Sequence, residues 1–116
     1  MKLTYRDIEP FVKSPAPHVR VILVYGHDQG LVKHRAKTMA QTVTPDINDP
    51  FNAVTLDYDA LKEDPARLID EANAMSMMGG NRLIRVTGAQ DALTPDLKTY
   101  LENPNQDATI ILETGE

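Results

Sequence analysis

Apolar residues fall along this chain in two alternating patterns, short dense runs and helical stripes. Val19 to Tyr25 is a near-continuous run of β-branched and aliphatic residues, the pattern of a strand covered on both faces in a parallel sheet. Gly26-His27-Asp28-Gln29-Gly30 turns the chain, and Leu31 to Val43 reads as a helix. Its apolar face is Leu31, Val32, Ala36, Met39, Ala40 and Val43. Thr44 to Asn52 is loop, punctuated by Pro45 and Pro50, and Ala53-Val54-Thr55-Leu56 is a second strand. Asp64-Pro65 supplies an N-cap followed by proline at the first helical position, where its missing donor costs least. That helix is expected to reach about Ser76, before Gly79-Gly80. Arg82 to Thr87 is a third strand, Thr94-Pro95 repeats the cap-then-proline signal for a helix carrying Leu97, Tyr100 and Leu101, and Thr109 to Leu112 is a fourth strand. Ahead of all these, Thr4-Tyr5-Arg6-Asp7 caps a short helix to about Lys13, with Ile8, Phe11 and Val12 on one face. Ser14-Pro15-Ala16-Pro17 stops it.

Strand and helix alternating in this way build an open parallel sheet with covering helices, so the expected fold class is α/β. The 116 residues suffice for one domain, 1–116, and not for two. The fourth strand comes within a few residues of the last one, and such a strand is often central, so the sequence is expected to be a piece of a longer chain. A hydrophobic share of 41% with 25% charged residues fits a folded globular domain rather than a disordered one. The longest apolar run, Val21 to Tyr25, is far short of the roughly 20 residues of a membrane span. Met1 to Pro10 carries Arg6, Asp7 and Glu9 and lacks the apolar stretch of a signal peptide, so the expected location is the cytoplasm. The absence of cysteine excludes disulfides, thiol nucleophiles and cysteine-held metals. Seventeen acidic against twelve basic residues leave a net charge of −5, which disfavours direct contact with a phosphate backbone.

In open α/β sheets ligands sit beyond the carboxyl ends of the strands, which directs attention to the turn from Gly26 to Gly30. A phosphate-binding loop there needs G-x-x-x-x-G-K-[ST], backbone amides for the phosphates and lysine and hydroxyl for phosphate and magnesium. Gly26 and Gly30 are one residue too close, and Leu31-Val32 stand where lysine and hydroxyl are needed. The third strand ends Leu83-Ile84-Arg85-Val86-Thr87-Gly88, without the acid that would hold magnesium. The expectation is a P-loop-like sheet with a degenerate nucleotide site, no cofactor and no catalysis; the alternative is a nucleotide-binding domain with a variant phosphate loop.

Other candidates for chemistry are weaker. His27 and His34 have no third ligand nearby and read as surface or capping residues. Asp57, Asp59 and Asp64 suggest a hard-cation or phosphoacceptor site, but only Asp28 follows strand one as an acidic partner, and a solvated acidic loop is the better reading. No G-x-S-x-G elbow is present. No metal site is expected.

One segment is not explained by core packing. Asn73-Ala74-Met75-Ser76-Met77-Met78-Gly79-Gly80 holds three of the five methionines. Leu68, Ile69, Ala72 and Met75 form one helical stripe, so Met75 fits a core. At about 100° per residue, Met77 falls roughly 140° from the middle of that stripe and Met78 roughly 120° away on the other side. If the helix ends at Ser76, both instead sit in a turn before two glycines. Adjacent exposed methionines at a helix end mark a candidate interaction site; the bland alternative is that a neighbouring loop covers them.

From Val19 to Glu116 the chain resembles the N-terminal domain of the delta subunit of the bacterial DNA polymerase III clamp loader. The resemblance rests on Val21-Ile22-Leu23-Val24-Tyr25-Gly26-His27-Asp28-Gln29-Gly30-Leu31-Val32, Asp49-Pro50-Phe51-Asn52, Asp64-Pro65-Ala66-Arg67-Leu68 and Ala74-Met75-Ser76-Met77-Met78-Gly79-Gly80-Asn81-Arg82-Leu83-Ile84, in that order. It implies an AAA+-like domain that has lost its phosphate-binding residues and that binds and helps open the ring-shaped sliding clamp, the beta subunit. In the family a segment of the form Gln-Ala-Met-Ser-Leu-Phe ends the binding helix, and its last two residues fill a hydrophobic clamp pocket. Asn73-Ala74-Met75-Ser76-Met77-Met78 stands in that place, so the resemblance gives the pocket-filling role to Met77 and Met78, beside Asn73, Met75 and Ser76. Asn73 is shorter than the family's glutamine and Met78 replaces its aromatic ring. Contacts to other clamp-loader subunits would run through further domains of the family protein, and DNA would be met only indirectly.

Overall fold

A computed structural model describes residues 11–12, 20–26, 28–44, 52–64, 66–74, 81–105 and 107–114. Four strands, β1 (Val21–Tyr25), β2 (Ala53–Asp57), β3 (Arg82–Thr87) and β4 (Ala108–Thr114), pair in parallel in the order β1-β4-β3-β2. The helices are α1 (Gln29–Val43), α2 (Tyr58–Glu63), α3 (Arg67–Asn73) and α4 (Thr94–Leu101), the last preceded by a 3₁₀ turn at Asp91–Leu93. The α/β class and the parallel sheet with covering helices read from the sequence are what the structure has.

The order places β3 and β4 in the middle, which is why they are the most completely buried strands. Side chains alternate across a strand. Ile84, Val86, Ile110 and Leu112 therefore meet Leu61 of α2, Leu68 and Ala72 of α3 and Tyr100 of α4 on one face. Leu83 and Ile111 meet Ala36, Met39 and Ala40 of α1 on the other, joined by Val12. Each fully buried leucine or isoleucine contributes roughly 1.5–3 kcal/mol, so two separate clusters clamp the central strands from both sides. The outer strand β1 is less covered, with Leu23 54% and Tyr25 47% exposed.

Of the N-terminal helix expected from Thr4 to Lys13, Phe11 and Val12 are helical and the rest lies outside the described residues. Leu31, expected on the apolar face of α1, is exposed, because the buried stripe is set by Val32, Ala36, Met39 and Ala40 and Leu31 stands about 100° off Val32.

Helix α2 was not foreseen. Where the sequence reads as an acidic loop, Asp57 caps a helix, its Oδ1 accepting the Asp59 N–H at 3.0 Å, and Leu61 anchors it in the core. Asp57, Asp59 and Asp64 are solvated, as expected, but they belong to a helix and its ends. Asp57→Ala should accordingly cost about 1 kcal/mol of stability; an unchanged denaturation midpoint would show that the cap contributes nothing. Asp64, expected to cap the following helix, instead closes α2, its N–H bonded to the Ala60 carbonyl at 3.1 Å. Ala66 precedes α3 without a side-chain cap, and Thr94, expected as a cap, is the first residue of α4, entered through the 3₁₀ turn.

Candidate partner-binding site

The turn after β1 is where an α/β sheet of this kind would hold a phosphate. Gly26 takes a φ of 156° there, in the range that favours glycine. Asp28 then caps α1, its Oδ1 accepting the Leu31 N–H at 3.1 Å, and Gln29 Nε2 donates to the Gly26 carbonyl at 2.9 Å. Gly30 is already the second helical residue, and a Cβ on it would stand 3.4 Å from Asp28 Oδ1. A helix N-terminus attracts anions through its free amides and dipole. Here the chain's own carboxylate bonds one of those amides and puts negative charge at the helix end. His27 lies outside the described residues, and His34 is exposed on α1.

Toward the carboxyl ends of the central strands lies an ion pair that the sequence did not suggest. Arg85 Nη2 donates to Glu113 Oε2 at 2.8 Å, with the side chains 17% and 5% exposed. Both residues sit on the α1 face of the sheet, sharing the alternation of Leu83 and Ile111. The acid of this pair stands on β4, and β3, whose end would carry an acid for magnesium in a nucleotide-binding sheet, has none. Among the described residues no group of three or more histidines, aspartates or glutamates is placed to hold a metal.

The methionine segment follows α3. That helix ends at Asn73, three residues before the expected Ser76, and Ala74 leaves it in extended conformation with φ −67° and ψ 144°. Met75, Ser76, Met77, Met78, Gly79 and Gly80 lie outside the described residues, so the helical-wheel positions expected for the methionines have no counterpart in the described structure. Asn73 is exposed. It lines an open depression of about 310 Å³ between α3 and α4, with Ile69, Asp96, Thr99, Tyr100 and Asn103.

The carbonyls at the end of α3 are bonded by side chains from elsewhere in the chain. Asn105 Nδ2 donates to the Ala72 carbonyl at 3.0 Å, and Arg82 Nε donates to the Glu71 carbonyl at 3.2 Å. Arg82 Nη2 also reaches Glu71 Oε2 at 3.1 Å. Asn105 is itself held twice, its N–H on the Tyr100 hydroxyl at 3.1 Å and its Oδ1 accepting the Asp107 N–H at 3.0 Å. The Arg82 N–H closes the set on the Asp107 carbonyl at 2.7 Å. Sequence reading missed Arg82 and Asn105 as a pair. Asn103-Pro104-Asn105 is a plain turn signal, and nothing local shows that a turn residue and a strand's first residue reach the same helix end.

Order β1-β4-β3-β2, helices on both faces and a strand-to-helix turn at the head of α1 define an α/β domain consistent with the AAA+-like fold. The model of the family described as DNA polymerase III, delta subunit matches residues 22–116. The chain belongs to that family, a component of the clamp loader, and corresponds to its N-terminal domain. No curated protein matches the chain. Among the described residues no helix is long and apolar enough to cross a membrane.

Proposed function

We propose that this domain binds the sliding clamp and helps open it, docking Met77 and Met78 into a hydrophobic pocket of the clamp. Asn73, Met75 and Ser76 complete the contact. The observation that carries this reading is the family match over residues 22–116, which includes the whole string from Asn73 to Met78. Its position immediately after a helix packed on a rigid sheet supports it further. Leu68 and Ala72 tie α3 to the central strands at 1% and 0% exposure, so the segment starts from a fixed point.

The domain itself is non-catalytic and acts in the cytoplasm within the clamp loader, meeting DNA only through its partners. Opening requires no chemistry from this chain. A protein that binds an open or strained ring better than a closed one shifts the ring toward opening by the difference in affinity. A clamp variant cross-linked closed should therefore bind the chain more weakly than the wild-type clamp. Equal affinity for the two rings would remove the opening role and leave simple binding.

The turn geometry weighs against nucleotide binding. A ligand that binds only the folded state raises stability by mass action, so a working site would show as a thermal shift. Millimolar ATP with magnesium should leave the melting temperature of the chain unchanged. A rise of several degrees, abolished by a bulky substitution at Gly30, would establish the variant phosphate loop instead.

A further inference from the structure

We infer that the depression between α3 and α4 is part of the clamp-binding surface and seats a basic side chain of the clamp. This rests on the clamp-binding reading above. Asn73 belongs to both features: it is the first residue of the string assigned to the clamp, and it is an exposed part of the depression's lining. A partner that covers Asn73 also reaches the mouth of the depression. Area calls for such an extension. A stable interface takes about 800 Å² from each partner, roughly 20–30 residues a side, and the six residues from Asn73 to Met78 are too few to supply it. Asp96, Thr99 and Asn103 share the depression with Asn73, are exposed, and continue its surface onto α4 and the end of that helix.

The lining selects the occupant. Ile69 is half-buried and Tyr100 is buried, so these two form an apolar floor, and the four exposed polar residues surround it. Asp96 is the one charged residue of the six. It makes no ion pair among the described residues, and Lys98, two residues on in α4, stands about 200° round the helix. A lysine or arginine lays its aliphatic stem along apolar surface and keeps its charged head at a polar edge. Here the stem would lie on Ile69 and Tyr100 with the head at Asp96. An acidic side chain would meet the Asp96 carboxylate instead. A purely apolar one would take water from the polar rim without replacing its hydrogen bonds. The first turn of a helix favours an acid on its own account, so binding and stability have to be read separately.

Two variants test the charge and the space. Binding of the chain to purified sliding clamp should weaken about threefold in Asp96→Asn at low salt, the worth of a charge at an interface rim. That difference should fade at about 1 M salt, where screening removes it. Thr99→Trp fills the depression, and tryptophan matches threonine in helix propensity; it should weaken binding roughly tenfold, as overfilling a packed contact does. Because Thr99 is exposed, the same variant should keep the wild-type urea midpoint. A lowered midpoint would mean that the chain's own residues fill the depression, and would overturn the proposal. Wild-type or tighter binding by Thr99→Trp, with Met77→Ala/Met78→Ala still losing affinity, would place the depression outside the interface. A loss in Thr99→Trp without a salt-dependent loss in Asp96→Asn would overturn the basic side chain as its occupant. Full binding by the methionine variant would instead remove the reading on which the proposal rests.

Discussion

Glu113→Ala should cost the domain about 3–5 kcal/mol, the characteristic loss when one partner of a buried ion pair is removed. The carboxylate is 5% exposed and stands 2.8 Å from Arg85 Nη2. Arg85 Nε is also buried, without a hydrogen-bond partner among the described residues. Truncating Glu113 would leave a guanidinium buried on the α1 face of the sheet with its charge uncompensated. A domain of this size has only about 5–15 kcal/mol in total, so the variant should approach unfolding at ambient temperature. Replacing both residues with apolar side chains of similar volume, as in Arg85→Met/Glu113→Leu, should restore most of the loss, because desolvation and attraction nearly cancel in such pairs. Urea denaturation of the three proteins decides it. A loss below about 1 kcal/mol in Glu113→Ala would mean that water or another group reaches Arg85 and that the pair is not a structural unit.

The largest effect on function is expected at the methionines. Each of Met77 and Met78 should contribute on the order of 1–2 kcal/mol as an anchor in a desolvated pocket. Together they should give Met77→Ala/Met78→Ala a loss of at least roughly tenfold in clamp affinity. Methionine lacks the rigid ring that binding anchors favour, but its flexible thioether fills irregular pockets. On the docking reading the double variant should keep the wild-type denaturation midpoint. That separates it from Glu113→Ala, which acts on folding.

Strand positions were legible in this sequence because periodicity and burial agree. The apolar runs of β3 and β4 belong to central strands buried on both faces, whereas the run ending at Tyr25, which predicts the same cover, forms an edge strand with Leu23 and Tyr25 exposed. Helix α1 was legible from its stripe for the same reason. Helix α2 was not, since six residues with one fully buried side chain leave almost no periodic signal. Its cap, Asp57, looks like any loop aspartate until the helix is seen. The end of α3 was misplaced by three residues because the stripe through Leu68, Ile69, Ala72 and Met75 continues past the point where Ala74 turns extended. Periodicity records which positions are apolar and says little about where the backbone stops being helical.

The site was legible in part. Gly26 and Gly30 were singled out as a phosphate loop without its lysine, and the structure adds that Asp28 bonds the helix amide itself. Arg85 with Glu113, and Arg82 with Asn105, are contacts between residues 28 and 23 positions apart or through a third element. Such pairings depend on strand order, which alternation alone does not give. The methionine segment is marked by composition and by its misfit to the core stripe, and the role proposed for it rests on the family rather than on packing.

The most direct test of the account is equilibrium binding of this chain to the purified sliding clamp of the same organism, with Met77→Ala/Met78→Ala measured beside it. Saturable binding by the wild-type chain that weakens at least roughly tenfold in the double variant is the predicted result. Equal binding by both proteins would place the interface elsewhere on the domain and contradict the role assigned to Met77 and Met78.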